Sequence, residues 1–296
     1  MPETPRSEIP VEASVENKES EDGFVFAEKT EAKDIPGRPN EDALLSMPNL
    51  GFFAVFDGIG GHHGGAEASK MALDYIKKML SMEAFGMIQD SIDAEELLNK
   101  LLHGANLEIL TEQNESDTYS KMGTTIAASF FWKDQNGKKN VSIGHVGDSR
   151  VYRYRNGQLE HLTLDDGIFQ GSKKEGMELQ KKFSDVEFAS DKLLQIPINR
   201  YLFKNRNRLK QSLGSLEINP HLISFTTEPD DIFLLTTDGI TDNLTSKKIV
   251  EIINVSSDQS EIINNLFSEA IKESQKTETL RSKKDDMSAI LILASG

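Results

Sequence analysis

Acidic side chains in this sequence recur where an apolar stretch begins or ends. Asp57 and Asp238 each follow an apolar run and precede a glycine, and Asp285 leads into the last apolar run. A buried strand holds the side chain at its end in a fixed position, and a following glycine lets a backbone carbonyl or a ligand approach closely. Several ionised carboxylates brought together would repel one another unless cations offset their charge. Mg²⁺ and Mn²⁺, which prefer oxygen ligands, are the natural partners of such a group.

The adjacent pair Glu41–Asp42 adds a fourth acidic position. Neighbouring residues on a strand point to opposite faces. We therefore expect one of the two to face the metals directly, and the other to act through water or a hydrogen bond. A single Asp-Gly pair is more often a simple turn, but a complete ordered set of acidic positions is far less readily explained by chance.

Apolar patterns predict the elements that must hold these side chains. Short apolar runs predict strands, at 52–56, 125–132, 140–146, 150–155, 232–235 and 289–293. Asn156–Gly157 predicts a hairpin turn. Apolar stripes at helical spacing predict helices, along 68–80 and 97–109 and from near Ser246 and Asp258. This order favours packed antiparallel sheets with helices outside.

Composition excludes several classes of protein. The 296 residues carry a net charge of −15, which argues against non-specific binding of nucleic acid. The chain has no cysteine, so disulfides, thiolate zinc sites and cysteine nucleophiles are excluded. No apolar run approaches the roughly 20 residues of a membrane helix, and the N-terminus is acidic without an apolar signal core. We expect a soluble, cytoplasmic, monomeric protein that binds neither nucleic acid nor membranes.

Two segments stand apart from the rest of the domain. Residues 1–22 are acidic and nearly free of large apolar side chains, so they predict a flexible leader. Residues 23–296 form the predicted domain. Within it, residues 167–220 have mixed charge and weak periodicity, which indicates a variable, loop-rich insertion at the domain edge.

Six segments in order resemble the metal-dependent protein phosphatases of type 2C in their bacterial form. They span most of the chain and are Arg38-Pro39-Asn40-Glu41-Asp42, Phe53 to His62 continuing to Gly65-Ala66-Glu67-Ala68-Ser69, Met122-Gly123-Thr124-Thr125, Val146 to Tyr152 with Leu162-Thr163, Leu234 to Asp242, and Lys284 to Ser288. One such segment is weak support, whereas six in the family's order are strong. The resemblance implies an α+β fold, a four-layer α-β-β-α sandwich of two antiparallel sheets flanked by helix pairs.

The resemblance also implies roles for individual acidic residues. Asp57 would bridge two metal ions, and the Gly58 carbonyl would bind one of them. Asp238 and Asp285 would complete the first metal site, with Glu41 or Asp42 serving the second. Asp148, together with Asp238, would hold a weaker third metal. Gly123, Thr124 and Thr125 resemble core strand residues without chemistry of their own.

The sequence departs from the family pattern at several positions. The phosphate-binding arginine usually lies one residue further from the Glu-Asp pair than Arg38 does. Either Arg38 reaches the phosphate from a slightly different backbone position, or Lys33 binds the phosphate in its place. Ile59 stands where animal members have a histidine, and Asp166 stands where the family usually has one. We expect His62 and His63 to have a hydrogen-bonding or surface role, and Arg150 to be a structural ion-pair partner.

The implied activity is hydrolysis of phosphoserine and phosphothreonine in proteins, opposing a cognate kinase, with Arg38 binding the phosphate. Two Mn²⁺ or Mg²⁺ ions would activate and orient a water that attacks directly, without a covalent enzyme intermediate. Two alternatives remain at this stage. One is a weak or silent family member that binds phosphoproteins as a regulatory module. The other is a phosphatase dedicated to one regulatory protein, as in the stress-sigma-factor branch of the same fold.

Overall fold

The computed structural model describes residues 15–19, 24–33, 35–60, 64–82, 88–115, 121–167, 169 and 171–294. Its strands are β1 (Lys18–Glu19), β2 (Val25–Glu31), β3 (Ala43–Met47), β4 (Phe52–Phe56), β5 (Gly58–Ile59), β6 (Gly123–Thr124), β7 (Ile126–Lys133), β8 (Lys139–Val146), β9 (Arg150–Arg155), β10 (Gln158–His161), β11 (His221–Thr226), β12 (Ile232–Thr236) and β13 (Met287–Leu293). Its α-helices are α1 (Gly64–Met82), α2 (Ser91–Glu115), α3 (Lys173–Phe183), α4 (Pro197–Lys204), α5 (Asp238–Thr241), α6 (Ser246–Ile253) and α7 (Gln259–Ser274).

The strands form two main antiparallel sheets. The first has the order β1-β2-β13-β12-β9-β10 and the second the order β11-β8-β7-β4-β3, while β5 and β6 form a small separate pair. All six strands predicted from apolar runs are present, with ends that differ by one or two residues at most. Strands β2, β3 and β11 were not predicted, since none of them contains more than three consecutive apolar residues.

Three apolar layers hold the sheets and helices together. Between the sheets lies a layer that includes Phe53, Phe131 and Phe233, whose rings meet edge to face. A second layer joins the β4 sheet to α1 and α2, and a third joins the β12 sheet to α6 and α7. The layers therefore follow the order α-β-β-α, which confirms the predicted fold class.

Local signals in the sequence explain where several elements begin and turn. The Asp258 side chain accepts a hydrogen bond from the Glu261 amide and caps α7, and Thr245 caps α6 in the same way through Lys248. Asn156 and Gly157 both have positive φ, of 50° and 77°, and close the predicted hairpin between β9 and β10.

The described parts of the two segments set apart by composition contain regular secondary structure. Residues 15–19 belong to the predicted leader, yet they include β1, which pairs with β2; residues 1–14 lie outside the described residues. The insertion predicted to be rich in loops contains α3, a 3-10 helix (Lys192–Gln195) and α4. Two signals mark these helices: the capping box of Ser172 and Glu175, and Pro197 in the first turn of α4.

None of the helices in the described part of the chain is long and apolar enough to cross a membrane.

Candidate metal centre

Three carboxylates far apart in the chain meet in one cluster. Asp57, Asp148 and Asp238 each offer an oxygen that lies within 4.8 Å of the others. Asp57 follows β4, Asp238 begins α5 just after β12, and Asp148 lies in the turn between β8 and β9. Because β4 and β12 are inner strands of the two facing sheets, the cluster forms where the ends of the two sheets meet.

Backbone hydrogen bonds fix the position of Asp57. Its amide donates to the Thr125 hydroxyl at 3.1 Å, and its carbonyl accepts from the Thr125 amide at 2.8 Å and the Thr124 hydroxyl at 2.9 Å. The Thr125 and Ser149 hydroxyls lie 2.6 Å apart. The Gly-Thr-Thr segment, which has no expected chemistry, therefore ties Asp57 to the turn that carries Asp148.

Glu41 and Gly58 face one another across a narrow gap. The Gly58 amide donates to the Glu41 carbonyl at 3.1 Å. A Cβ added at Gly65 would lie 2.7 Å from the Gly58 carbonyl oxygen and 2.8 Å from Glu41 Oε1. The two oxygens therefore lie against the same glycine at the start of α1, and a larger residue there would displace one of them.

The two acids of the Glu41–Asp42 pair have different surroundings. Glu41 Oε1 is buried and has no hydrogen-bond partner among the described residues. Asp42 Oδ2 accepts a hydrogen bond of 2.8 Å from the Thr237 hydroxyl, next to Asp238. Burial raises the pKa of Asp42 to about 8 despite that hydrogen bond, and the charges of Asp286 and Asp238 add to the rise. The two acids thus differ: Glu41 keeps one buried oxygen without a partner among the described residues, whereas Asp42 is hydrogen-bonded to Thr237.

The electrostatics of the cluster fit a divalent cation. Burial and then the charge of Asp238 raise the pKa of Asp57 and of Asp148 well above the ordinary range. Burial also raises the pKa of Asp238 to about 6, although the Lys283 ammonium lowers it. Asp238 Oδ1, like Glu41 Oε1, is buried without a partner among the described residues. Converging oxygen donors with unsatisfied lone pairs are what a hard cation requires.

Two lysines border the cluster. The Lys283 ammonium contacts Asp238, lies 2.7 Å from Asp285 Oδ2 and lies 3.5 Å from Asp242 Oδ2. On the other side, the Lys33 ammonium lies 2.9 Å from Glu41 Oε2 and 3.5 Å from Asp285 Oδ1. Asp285 thus lies between the two lysines. Because the Lys33 ammonium already forms ion pairs with these carboxylates, it is a poor substitute for a phosphate-binding arginine.

Asp286 fastens the segment that carries Glu41. Its side chain accepts hydrogen bonds from the Lys33 amide at 2.7 Å and from the Glu41 amide at 3.0 Å. The Lys33 ammonium lies 3.1 Å from the same carboxylate. Asp286 is buried, so it acts as a structural clamp between β13 and the β2–β3 connection. The sequence pattern showed Asp286 only as a neighbour of Asp285.

The sequence also singles out Arg38, Arg150, Asp166 and two histidines. Arg38 is exposed, and its guanidinium makes no hydrogen bond or ion pair with the residues the structure describes. Arg150 forms a two-pronged ion pair with Asp165, with contacts of 3.0 and 2.6 Å, which confirms its structural role. Asp166 accepts a 2.8 Å hydrogen bond from the Gly147 amide and supports the Asp148 turn. His62 and His63 lie outside the described residues.

The insertion reaches the cluster directly, which sequence patterns did not predict. The Asn207 amide donates to Asp242 at 2.6 Å and lies 3.4 Å from Asp238 Oδ2. Arg206 donates to the other oxygen of Asp242 at 3.0 Å. Burial would raise the pKa of Asp242, but the charges of Arg206 and Lys283 outweigh it and lower that pKa to about 2. Asp242 is therefore an anionic anchor for the insertion beside the metal centre.

Comparison with known proteins places the chain in a family. The family model described as Protein phosphatase 2C matches residues 34–291. The chain therefore belongs to the protein phosphatase 2C family.

Two of the relatives are bacterial phosphatases. The chain is 26% identical over 216 residues to the serine/threonine protein phosphatase PstP of Mycobacterium tuberculosis, a match covering 73% of this chain and 36% of PstP. It is 29% identical over 223 residues to the serine/threonine phosphatase stp of Listeria monocytogenes, a match covering 72% of this chain and 77% of stp. The match thus spans little more than a third of the mycobacterial relative.

Solved structures share the fold. The crystal structure of M. tuberculosis PstP/Ppp has a TM-score of 0.70 and 22% identity, and the match covers 92% of this chain and 99% of that one. A structure of the PstP catalytic domain in complex with two manganese ions has a TM-score of 0.69 and 20% identity over the same shares.

Proposed function

We propose that this protein is a metal-dependent phosphatase that hydrolyses phosphoserine and phosphothreonine in proteins. The observation that carries the proposal is the cluster of Asp57, Asp148 and Asp238 at the meeting edge of the two sheets. Family membership and the names of the relatives point to the same activity.

The proposed ligands are the three acids of the cluster, the neighbouring acids Asp285 and Glu41, and one carbonyl. Asp57 would be shared between two cations, with the Gly58 carbonyl beside it. Asp238 and Asp285 would hold the first cation, and Glu41, through its unpartnered oxygen, is the better placed of the Glu41–Asp42 pair for the second. Asp42 would then orient the site through Thr237. Asp148 would contribute with Asp238 to a weaker third site.

When bound, divalent cations lower the pKa of a coordinated water and neutralise the phosphoryl oxygens. The protein's own residues position the substrate for this chemistry. The exposed Arg38 guanidinium has no partner among the described residues, so both of its donor edges are free to bind the phosphate. The buried walls of the cluster strengthen charge interactions by limiting access of water.

The identity of the metal, the partners and the cellular location are part of the same proposal. We propose Mn²⁺ or Mg²⁺ as the metal, two per site with a weaker third, by analogy with the manganese-bound PstP structure. The partners would be phosphoproteins modified by a cognate kinase in the cytoplasm, within a signalling pathway. No observation on the described residues favours a silent regulatory module, because the acidic set is complete.

Hydrolysis of p-nitrophenyl phosphate and of a phosphothreonine peptide, with Mn²⁺, Mg²⁺ or chelator, tests the proposal. Asp57→Asn and Asp238→Asn should each lower kcat by about 100-fold or more, because each removes charge from the metal ligands, while circular dichroism stays unchanged. Asp74→Asn, an exposed acid on α1, is the matched control and should retain full activity. Full metal-dependent activity in both cluster variants would refute the proposed function.

A further inference from the structure

The surface of the insertion carries a charge opposite to that of the whole molecule. Residues 171–210 contain ten lysines and arginines against five aspartates and glutamates, a net charge of +5 in a chain whose total is −15. Only Arg206 among these basic residues makes an ion pair with the described part of the chain. Eight others are exposed and unpaired there: Lys173, Lys174, Lys181, Lys182, Lys192, Arg200, Lys204 and Arg208.

Helix α4 presents four of the exposed side chains of this segment on one face. Ile198 and Tyr201 are three positions apart, as are Tyr201 and Lys204, and Arg200 and Lys204 are four apart, so all four side chains share one side of the helix. Ile198 is 58% exposed and Tyr201 is 53% exposed. We call this set the α4 face; it joins an apolar half to a basic half.

The α4 face is held rigidly near the metal centre. On the opposite side of the helix, Phe203 is buried with Val186 and Leu194, and its ring meets that of Phe183 edge to face at 5.4 Å. Just beyond the helix, Arg206 and Asn207 bind Asp242, and Asn207 also approaches Asp238. The helix is therefore fixed at its core side and at the end nearest the cluster.

The distance to the cluster suits a peptide. Lys204, the last residue of α4, is three residues from the Asn207 anchor and so lies within about 11 Å of it along the chain. Arg200 lies about 6 Å further along the helix. An extended peptide advances about 3.3 Å per residue. A residue roughly three positions from a phosphorylated side chain at the metal centre would therefore meet the α4 face.

We propose that the α4 face binds the residues that flank the phosphoserine or phosphothreonine, and that it selects phosphoproteins whose flanking residues are acidic with an apolar neighbour. This inference rests on the proposed phosphatase function and names its substrate class. Charge complementarity supports it, because unpaired arginine and lysine attract carboxylates and repel basic sequences. The apolar half, with its exposed Tyr201, supplies the anchoring contact that aromatic residues commonly make at interfaces.

A pair of phosphothreonine peptides tests the inference, one with Asp and Glu at the flanking positions and one with Asn and Gln there. The wild-type protein should show a kcat/KM roughly tenfold higher for the acidic peptide at low salt, and the ratio should shrink as salt rises. In Arg200→Glu/Lys204→Glu the ratio should fall to one or below, while turnover of p-nitrophenyl phosphate stays at the wild-type level. The milder variant Arg200→Gln/Lys204→Gln provides the same test should charge reversal impair folding.

The control variant is Lys77→Glu/Lys78→Glu, which makes the same charge change at two exposed positions of α1. It should keep the preference for the acidic peptide. Equal kcat/KM for the two peptides in the wild-type protein would overturn the inference, and so would equal loss of preference in the control. An effect of the α4 variants only on oligomeric state would identify a second copy as the occupant. If deletion of residues 1–14 raised kcat/KM for the acidic peptide in the wild-type protein, the acidic leader would be identified as the occupant of the α4 face instead.

Failure of the inference is distinguishable from failure of the proposed function. Without Mn²⁺-dependent hydrolysis of p-nitrophenyl phosphate, the phosphatase proposal itself fails. Fluorescence anisotropy of the same labelled peptides then still decides whether the α4 face binds acidic phosphopeptides. With hydrolysis present but no acidic preference, only the inference about the α4 face is wrong.

Discussion

Single residues around the metal centre show how the fold tolerates so many acids in one place. The Lys283 ammonium contacts Asp238 of the cluster and the neighbouring Asp285, and the Lys33 ammonium contacts Glu41 and Asp285 beside the cluster. Burial alone would lower the pKa of Lys283, but the charges of Asp238, Asp242 and Asp285 raise it above its usual range. Both lysines therefore act as fixed positive charges that offset repulsion among the acids.

Replacement of Lys283 by methionine tests this balance. A cation at the centre draws on the same carboxylates that Lys283 contacts, so Lys283→Met should lower the Kd for Mn²⁺ by about tenfold, as expected for the loss of one nearby positive charge. It should also lower the free energy of unfolding in chelator, because the acids then lack that charge. Calorimetric Mn²⁺ titration and urea unfolding measure the two effects.

Lys247→Met, at an exposed position in the first turn of α6, serves as the control and should change neither quantity. Unchanged Mn²⁺ binding in Lys283→Met would show that Lys283 does not compete for the ligands, and weaker binding would show that it supports the metal site.

At the scale of elements, the centre depends on close backbone approaches between strand ends and the first turn of α1. Gly58 and Gly65 bring the β4–α1 connection against the segment that carries Glu41. Asp286 fastens the other side of that segment. These contacts position the acidic side chains more tightly than flexible loops would, because each joins two elements of the sandwich.

Gly65→Ala separates helix propensity from this positional requirement. Alanine favours a helix over glycine by about 1 kcal/mol, yet its Cβ would lie 2.7 Å from the Gly58 carbonyl oxygen and 2.8 Å from Glu41 Oε1. We expect a net loss of about 1–3 kcal/mol in the free energy of unfolding and weaker Mn²⁺ binding. Thermal unfolding with and without Mn²⁺ provides the measurement.

The matched control is Gly176→Ala in α3, where the three atoms nearest to the added Cβ are side-chain atoms of Leu164 and Phe169, at 3.1–3.2 Å. That variant should leave Mn²⁺ binding unchanged. A Gly65→Ala protein that is stabilised and binds Mn²⁺ normally would show that the approach of Gly58 and Glu41 is not required.

At the scale of the whole molecule, the parts built on long apolar patterns were predictable. Runs such as Phe52–Phe56 and the stripe of α1 report directly on the layers between sheets and helices. The helices of the insertion were not predicted, because its small core around Val186, Leu194 and Phe203 contains too few apolar residues to produce a helical periodicity in the sequence. The roles of Lys283 and Asn207 depend on contacts between distant segments, which periodicity does not record.

The meeting of Asp57 and Asp238 could be anticipated because each follows an inner strand, whereas Asp148 was implied only by the family resemblance. The supporting roles of Asp286 and Asp242 could not be anticipated, since in the sequence they look like ordinary neighbours of Asp285 and Asp238. The same reason explains why Lys33 was a candidate for phosphate binding, although the fold commits it to three carboxylates.

Anomalous diffraction from crystals grown with Mn²⁺ would locate the metal ions themselves. We expect strong manganese peaks within about 2.5 Å of carboxylate oxygens of Asp57 and Asp238, with Asp57 shared between two peaks. Absence of any peak at this cluster under saturating Mn²⁺, or peaks bound only by other residues, would contradict this expectation.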